Sequence, residues 1–375
     1  MTLLEPRGTP RLRLAALGDV GVIGAARARA RREGYDAVFA ALAPALGRAD
    51  LGFANLEFPV ADETWVRPGR SREFRHDPEV VPALARAGVR LLSLANNHVM
   101  DCGPRGLERT LEACAAAGVA VAGAGPDLAA ARAPARITAA GQRVVLLAYG
   151  TPSAGQARPG AAGHAPLEPE LVRADLARWR AEADVLVVSV HWGSMYVDYP
   201  PPRVLELATA LAAAGADLVL GHHPHVLQGF RREGRCLTLF SLGDAAFNCR
   251  AGDFEAGVAA VTRLESGVFT VALAEAPGLG FEPRLLDHDG WPTVPDAARA
   301  AAQRARLEEL SAGLAEAGAR FAAESAPRLL RYELESLGHY LRRGRLDRVV
   351  RLLGGIRPRH LPLLWQALRR IGRTA

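Results

Sequence analysis

The stretch GADLVLGHHPHVLQG, residues 215–229, begins with a short apolar run and ends in a cluster of histidines. An apolar run of this length, here Leu218 to Leu220, is typical of a buried strand when turn-forming residues bound it. Three imidazoles follow within four residues, at His222, His223 and His225. Because three imidazoles so close together rarely serve packing, the stretch predicts a strand whose carboxyl end carries a catalytic or metal-binding loop.

Four other apolar runs also end in residues that can do chemistry. They are Leu12 to Leu17 before Asp19, Leu51 to Ala54 before Glu57, Val89 to Ala95 before Asn97 and His98, and Val185 to Val190 before His191. Amphipathic stretches of helical length lie between several of them, such as Pro104 to Ala117 and Pro202 to Ala214. This alternation indicates an α/β fold, in which ligands bind beyond the carboxyl ends of the strands. We therefore expect the five strand ends to share one site.

The second half of the sequence predicts further strands and then helices. The later strand-like runs are Leu237 to Leu242, Val258 to Leu264, Val268 to Ala274 and Phe281 to Leu286. We expect these consecutive runs to form a second sheet. The pattern then becomes helical and rich in Arg, so the sequence predicts three regions: an N-terminal tail at 1–11, a catalytic domain at 12–294 and a helical C-terminal region at 295–375.

Composition excludes several classes of protein. The 375 residues are 49% hydrophobic and 23% charged, the balance of an ordinary globular protein. The four cysteines form no CxxC pair, which argues against a disulfide framework and a thiolate zinc site. No stretch near the N-terminus resembles a signal peptide or a membrane span, so we expect a cytoplasmic protein.

The positive charge belongs to the C-terminal region. The net charge is +6, and from residue 299 onward sixteen Arg face seven acidic residues. Interleaved Arg and Leu are expected of amphipathic helices that pack on a domain, and contact with a membrane surface or an acidic protein is the alternative. A binding module that relies on this charge has little other support, because the sequence lacks a P-loop, zinc-finger spacing and a heptad array. We expect no nucleic-acid partner.

The residues at the strand ends form a suitable set for two divalent ions. Such a pair needs a carboxylate that bridges the ions, with oxygen and imidazole ligands around it. Taken singly, each residue has an ordinary explanation: Asp19 as a turn or cap, Glu57 as a solvated strand end, His191 as a buried histidine. Their joint occurrence favours metal binding. The candidate ligands are Asp19, Glu57, Asn97, His191, His223 and His225.

The same residues lie in motifs that resemble a known family. The motifs are GDVGVIG at 18–24, ANLEFPV at 54–60, SLANNHVMDCG at 93–103, VSVHWGSMY at 188–196 and FSLGDAAFN at 240–248, with the stretch quoted first. Over roughly residues 12 to 290 they resemble the CapA, or PgsA, proteins of poly-γ-glutamate capsule biosynthesis, within the calcineurin-like metallophosphatase superfamily. The resemblance implies a four-layer α/β/β/α sandwich of two mixed sheets. It also implies that the six candidate ligands match metal positions and that His98 matches the catalytic histidine.

Three departures from the family pattern bear on function. General metallophosphatases begin with Asp-x-His, whereas this sequence has Gly21 in the third position, a feature that CapA relatives share. The usual Ser-Leu-Gly-Asn ends in Asp244 here. Relatives carry a membrane anchor that we do not find in this sequence, which also adds the C-terminal helical region.

Several further residues are candidates for catalysis or substrate binding. Asp101 lies three residues after His98 and is a candidate to orient its imidazole, although a helix N-cap is an equal explanation. The candidate substrate-binding residues are Arg75, His222, Tyr196 and Asp244. We expect an anionic substrate, either a small molecule or a polymer.

Two enzymatic hypotheses follow, and both require two divalent metal ions, with Mn, Fe or Zn as candidates. In the first, a metal-activated water attacks a phosphate ester and His98 protonates the leaving oxygen. In the second, the resemblance implies an amide-bond enzyme or a non-hydrolytic accessory protein that acts on γ-glutamyl or related small-molecule substrates. The sequence does not distinguish a carbonyl from a phosphoryl group at the reacting centre. We expect a metal-dependent hydrolase of the phosphoesterase type.

Overall fold

The chain forms two mixed β-sheets with helices on their outer sides. A computed structural model describes residues 2–68, 70–248 and 264–325, together with residues 327, 337 and 341. The predicted strand from Val258 to Leu264 falls almost wholly outside these ranges, and so does most of the predicted helical region after residue 325.

The strands of the first half alternate with the helices. They are β1 (Thr2–Leu4), β2 (Leu12–Gly21), β3 (Leu51–Leu56), β4 (Val89–Ser93), β5 (Ala120–Ala122), β6 (Ala124–Gly125), β7 (Ala135–Ala139), β8 (Gln142–Gly150) and β9 (Gly163–His164). The later strands are β10 (Val185–His191), β11 (Leu218–His222), β12 (Phe230–Glu233), β13 (Cys236–Leu239), β14 (Asp244–Phe247), β15 (Glu265–Leu273), β16 (Gly278–Leu286) and β17 (Pro292–Thr293).

The helices include the two that the sequence predicts between strands. They are α1 (Gly24–Glu33), α2 (Tyr35–Phe39), α3 (Ala43–Leu46), α4 (Val80–Ala87), α5 (Gly103–Ala116), α6 (Leu128–Ala131), α7 (Pro169–Trp179), α8 (Pro202–Ala213), α9 (Ala297–Ala312) and α10 (Ala317–Arg320). Short 3₁₀ turns occupy Glu63–Trp65, Arg180–Glu182 and Gly313–Glu316, and a π turn follows at Phe321–Ser325. Proline stands in the first turn of α5 and of α8, where its missing N–H costs no hydrogen bond.

The first sheet has the strand order β1-β16-β15-β2-β3-β4-β5, with β14 beside β2 and β17 beside β16. Strands β2, β3, β4 and β5 run parallel, and β15 and β16 pair antiparallel. The second sheet has the order β12-β13-β11-β10-β8-β7, with a parallel centre and antiparallel edges. The remaining pair, β6 and β9, lies apart from both.

The expectation that the later runs build the second sheet is wrong. Of the later runs that the structure describes, only β13 lies in that sheet, while β15 and β16 extend the first sheet beyond β2. The second sheet instead grows around β8, β10 and β11. Local alternation identifies a strand but not its neighbour, because pairing depends on which apolar faces can be buried together.

Three apolar cores separate the layers and confirm the four-layer α/β/β/α sandwich. Leu14 and Ala16 of β2 pack with residues of β8, β10 and β11 in a core between the two sheets. Ala15 and Leu17 point to the other face, where α1 to α5 cover the first sheet. Helices α7 and α8 cover the outer face of the second sheet. The alternation along β2 follows from the two-residue period of a strand.

Both termini of the described chain pack on the sheets. Strand β1 pairs with β16 at the edge of the first sheet. Near the other end, Leu307 of α9 lies in the core between the sheets, and Leu310 lies in the core outside the second sheet. The predicted domain boundaries remain predictions. None of the helices within the described ranges is both long enough and apolar enough to cross a membrane.

Candidate metal centre

Five strand ends from the two sheets place the candidate ligands at one edge of the sandwich. In the first sheet, Asp19 of β2 pairs in register with Asn55 of β3, and Asn55 pairs with Ser93 of β4. In the second sheet, His191 at the end of β10 pairs with His222 at the end of β11. The sequence predicted a shared site, and these five ends do converge, from two facing sheets instead of one.

One group of ligand atoms surrounds Nε2 of His191. Oδ1 of Asn97 lies 2.8 Å from this nitrogen, Nδ1 of His223 lies 3.1 Å away, and a carboxylate oxygen of Glu57 lies 3.5 Å away. Glu57 is fully buried and His191 is 4% exposed. Two imidazoles, an amide oxygen and a carboxylate oxygen thus converge on a small volume, as the ligands of a transition metal do.

A second group forms around Asp19, His225 and Asp244. Nδ1 of His225 lies 2.8 Å from Oδ1 of Asp244 and 3.7 Å from Oδ2 of Asp19. One potential ligand atom from each of the three residues lies within 4.8 Å of the others, and the same holds for Asp19, Glu57 and His191. Asp19 is therefore common to both groups, which is the position that a bridging carboxylate requires.

One unsatisfied polar atom at this edge fits a bound cation. Oε1 of Glu57 is buried and has no hydrogen-bond partner among the described residues. Nδ1 of His191 and Nε2 of His222 also lack one, but in each ring the other nitrogen faces the cluster. A buried carboxylate oxygen without a partner costs free energy, and a metal ion would supply the missing interaction. The donor set of carboxylates, imidazoles and one amide suits Mn, Fe or Zn.

The two histidines of the first group, His191 and His223, have neutral imidazoles that can bind a metal ion. Burial, with the positive charge of neighbouring histidines, holds the pKa of His191 well below its usual value. Burial and the proximity of His225 likewise lower the pKa of His223 to about 3. Neutral imidazoles have a lone pair available for a cation.

The carboxylates and His225 are coupled electrostatically. Burial, and then the charge of Asp19, raises the pKa of Glu57 well above its usual value. Burial also acts against the ionised form of Asp19, but the hydrogen bond and charge of His222 lower its pKa on balance. Burial opposes the charged form of His225, yet the carboxylates of Asp244, Asp19 and Glu57 raise the pKa of His225 to about 9. A divalent cation would offset the repulsion between these carboxylates.

Two buried amides that the sequence analysis did not assign hold the centre together. Nδ2 of Asn55 donates to Oδ1 of Asp19 over 2.9 Å and to Oε2 of Glu57 over 2.8 Å. Nδ2 of Asn96 donates to the carbonyl of Leu56, and Oδ1 of Asn96 accepts from the backbone N–H of His98. A polar residue inside an apolar strand, in register with Asp19, is the signal that could have identified Asn55.

The predicted catalytic pair lies beside the ligands. Nδ1 of His98 lies 2.6 Å from Oδ2 of Asp101, and the guanidinium of Arg70 forms an ion pair with the other oxygen of Asp101 at 2.8 Å. Asp101 is 1% exposed. The rings of Phe58 and Phe74 flank the imidazole, with centroids 4.8 and 5.0 Å away. His98 is thus held at one nitrogen and packed by two aromatic rings.

Backbone strain is concentrated at this edge. Tyr196, His223 and His225 have φ values of 60°, 96° and 54°, in the left-handed region that favours glycine. In the described chain the other non-glycine residue in that region is Ala140, next to Gly141 in the turn between β7 and β8. Strained backbone that surrounding structure maintains is characteristic of functional sites.

The predicted substrate-binding residues have different locations. His222 is 1% exposed, and its Nδ1 lies 2.9 Å from Oδ1 of Asp19, so it contacts the carboxylate from the core side. The ring centroid of Tyr196 lies 6.0 Å from that of His225. Arg75 is not brought into the cluster. It is buried, pairs with Asp77, and lines a cavity of about 990 Å³ whose lining contains none of the candidate ligands.

Relatives of this chain include proteins named for capsule, PGA or polyglutamine synthesis. Capsule biosynthesis protein CapA of Bacillus anthracis is 30% identical over 257 residues, which are 65% of this chain and 62% of that protein. PGA biosynthesis protein CapA of Bacillus subtilis (strain 168) is 30% identical over 222 residues, 58% of each chain. A probable polyglutamine synthesis accessory protein of Mycobacterium tuberculosis is 32% identical over 198 residues, 48% of this chain and 52% of that protein. The chain thus spans about half to three fifths of the length of these relatives.

Solved structures with a similar arrangement include two nucleotidases. A 5′-nucleotidase precursor from Thermus thermophilus is 16% identical with a TM-score of 0.46, covering 80% of this chain and 59% of that one. A putative 5′-nucleotidase from Staphylococcus aureus is 14% identical with a TM-score of 0.46, covering 79% and 58%. At TM-scores below 0.5, the fold assignment rests on the two sheets themselves.

The family assignment comes from the sequence match and agrees with the motifs. The model of the bacterial capsule synthesis protein PGA_cap family matches residues 13–249, a segment that contains all six candidate metal ligands together with His98 and Asp244. The resemblance to CapA proteins that the motifs indicated is thereby confirmed. Because the match spans more than half of the chain, this protein belongs to the PGA_cap family.

Proposed function

We propose that this protein is a metal-dependent hydrolase of the phosphoesterase type, with two divalent cations at the edge where the two sheets meet. The observation that carries the proposal is the convergence of Asn97, His191, His223 and Glu57 on one point, with an unpartnered buried oxygen on Glu57. Asp19 links this group to His225 and Asp244. Bound cations of this kind activate water and stabilise negative charge that develops on an oxygen of the substrate.

His98 supplies the proton that the leaving oxygen needs. The carboxylate of Asp101 accepts a hydrogen bond from Nδ1–H, which fixes the orientation of the ring. The proton to be transferred is then on Nε2. The rings of Phe58 and Phe74 restrict movement of the imidazole and limit the access of water to it.

Other residues keep the ligands in position. Asn55 donates to both Asp19 and Glu57 and so holds the two carboxylates at a fixed separation. His222 contacts Asp19 from the core side, and the backbone N–H of His223 donates to Oδ2 of the same carboxylate over 3.0 Å. Supporting contacts of this kind orient ligands and raise metal affinity.

Hydrolysis of p-nitrophenyl phosphate and bis-p-nitrophenyl phosphate tests the proposal. The full chain, treated with a chelator and then supplied with Mn²⁺, Fe²⁺ or Zn²⁺, should gain activity with metal and lose it on chelation. Glu57→Gln should abolish metal-dependent hydrolysis, whereas Glu112→Gln, on the exposed side of α5, should not change it. Activity that chelation and Glu57→Gln leave intact would contradict the proposal.

A second candidate function is hydrolysis or transfer at a γ-glutamyl amide, and the names of the relatives favour it. The same centre would stabilise the oxyanion that forms when an amide carbonyl is attacked. Incubation with poly-γ-glutamate and with γ-glutamyl dipeptides, followed by measurement of released amines, separates the candidates. Metal-dependent amine release without aryl phosphate hydrolysis would replace the first proposal with the second.

A further inference from the structure

Residue 21 cannot provide the imidazole of the general metallophosphatase pattern, because an aromatic ring fills the space. A β-carbon on Gly21 would lie 2.5 Å from two ring carbons of Phe247, far closer than van der Waals contact. The ring of Phe247 also packs against the imidazole of His225, with centroids 4.7 Å apart. One cation of the proposed pair therefore lacks a protein ligand that the pattern would supply.

Asp244 lies where a replacement ligand is needed. Strand β14 runs parallel to β2, and Asp244 pairs in register with Asp19. The backbone N–H of Asp19 donates to the carbonyl of Gly243 over 2.9 Å, which fixes the two strands side by side at this point. Asp244 is 1% exposed, and one of its oxygens lies within 4.8 Å of ligand atoms of both Asp19 and His225.

We propose that Asp244 is a metal ligand which completes a carboxylate-rich second cation site with Asp19 and His225. This inference rests on the proposed two-metal function and specifies its second site. The carboxylate at position 244 takes over from the imidazole that the packing of Phe247 on Gly21 excludes. Metal binding would also explain why the segment FSLGDAAFN has Asp244 where the family usually has Asn.

The two sites then differ in chemistry. The site at His191 combines two imidazoles and an amide with the carboxylate of Glu57 and the shared carboxylate of Asp19, a set that suits Zn²⁺ or Fe²⁺. The site at Asp244 combines two carboxylates with one imidazole, a harder set that favours Mn²⁺ or Mg²⁺. We expect the Asp244 site to prefer Mn²⁺ over Zn²⁺ more strongly than the His191 site does.

A competing role for Asp244 is to orient His225 without binding metal. Its Oδ1 lies 2.8 Å from Nδ1 of His225, the distance of a hydrogen bond between an imidazole N–H and a carboxylate. Asn at 244 would keep an oxygen that accepts this hydrogen bond but would remove the negative charge that attracts a cation. The Asp244→Asn variant therefore separates a ligand from an orienting residue, and Asp244→Ala removes both roles.

Calorimetric titration of the chelator-treated full chain with Mn²⁺, and separately with Fe²⁺ or Zn²⁺, tests the inference, together with elemental analysis after dialysis. Wild type should bind two Mn²⁺ ions. Asp244→Asn should weaken one of the two by about tenfold or more while the other keeps its affinity, which also shows that the variant is folded. Asp175→Asn is the matched control, because this buried carboxylate pairs with Arg132 and Tyr149 on the outer face of the second sheet. It should bind both ions as wild type does.

The outcomes separate this inference from the function on which it rests. Two unchanged affinities in Asp244→Asn, with a loss in Asp244→Ala alone, would overturn the ligand role and leave the two-metal centre standing. A wild-type protein that binds no Mn²⁺, Fe²⁺ or Zn²⁺ would overturn the proposed function and this inference together. Loss of one ion in Asp244→Asn but not in Asp175→Asn would support both.

Discussion

Oδ2 of Asp101 lies 2.6 Å from Nδ1 of His98. This contact places the buried carboxylate where it can hold the imidazole in one orientation. It favours the orienting role for Asp101, which the sequence left in competition with a helix N-cap. The structure describes no side-chain cap at the start of α5, whose N-cap residue is Cys102.

If His98 is the general acid, His98→Ala should lower kcat by about a hundredfold or more, and the loss should grow as the leaving group becomes more basic. Asp101→Asn should lose less, because an amide oxygen can still accept from Nδ1–H. The measurement is kcat on aryl phosphates of graded leaving-group basicity. His288→Ala, an exposed histidine, is the control. An equal loss for all leaving groups would show that His98 is not the proton donor.

Asn55 should matter most when no metal is bound. Its amide is the hydrogen-bond donor shared by Asp19 and Glu57, so Asn55→Ala leaves two buried carboxylates with fewer partners. We expect the free energy of unfolding in chelator to fall by about 1–3 kcal/mol. Added Mn²⁺ should recover part of this loss, because a cation offsets the repulsion. Urea unfolding with and without metal measures it, and an equal loss in both conditions would argue against a role at the metal centre.

The convergence of the candidate ligands could be predicted from sequence better than the arrangement of the sheets. Asp19, His191 and the histidines after β11 lie at or near the carboxyl ends of strands, and strand ends are visible in local apolar patterns. Which sheet a strand joins depends on contacts between residues that are far apart in the sequence. For this reason β15 and β16 were assigned to the wrong sheet.

Asn55 and Arg75 show why side-chain roles are harder to predict than positions. Asn55 resembles an ordinary strand residue, and its double hydrogen bond appears only when β2 and β3 are paired. Arg75 is a substrate-binding candidate from the sequence, yet it pairs with Asp77 and Glu63. In a chain whose basic residues are all Arg, local sequence offers no means to decide which of them meets a carboxylate of the same protein.

The packing of Phe247 on Gly21 predicts a specific loss of stability. Gly21→Ala places a methyl group 2.5 Å from the ring and should destabilise the protein by about 1–3 kcal/mol. Phe247→Leu should relieve part of that cost, so the double variant should be more stable than the sum of the single effects predicts. Gly318→Ala in α10 is the control, since its nearest neighbour would be in ordinary contact at 3.5 Å. Urea unfolding in the presence of a chelator measures the free energy of unfolding of each variant. A Gly21→Ala protein as stable as wild type would refute the close packing.

His76 should make stability depend on pH. Its ring is fully buried, donates from Nδ1 to the carbonyl of Phe58, and accepts at Nε2 from the backbone N–H of Val22. Burial, and then the charge of Arg27, lowers the pKa of His76 to about 3, whereas the usual value is 6.5. The unfolded chain therefore binds the proton first as pH falls. The contribution of the neutral ring is complete above pH 6.5 and is lost between pH 6.5 and 3.

The expected slope from His76 is about 1.4 kcal/mol per pH unit in that window. His76→Gln, which can replace both hydrogen bonds, should remove this part of the slope. Other buried histidines also contribute, so the quantity to measure is the difference between wild type and variant in urea unfolding from pH 4 to 8, in chelator. Identical slopes would show that His76 does not titrate in this way.

Helix α9 supports the loop that follows the histidine cluster. A β-carbon on Gly229 would lie 2.7 Å from Cα of Ser311, so the helix passes directly over the backbone there. Oγ of Ser311 accepts from the backbone N–H of Phe230 over 3.0 Å. Gln303 donates to the backbone carbonyl of Arg284 in strand β16 of the first sheet. The helix therefore contacts both sheets, although the sequence placed it beyond a boundary near residue 294.

Deletion after residue 294 should consequently destabilise the protein. The shorter chain loses Leu307 and Leu310, which are buried in two different cores, and each such side chain contributes about 1.5–3 kcal/mol. That total is a large fraction of the roughly 5–15 kcal/mol that stabilises a typical domain. We expect residues 1–294 to aggregate or to unfold at a much lower temperature than the full chain. Thermal unfolding of the two chains measures the effect, because a chain of residues 1–294 that is as stable as the full chain would support a domain end at 294.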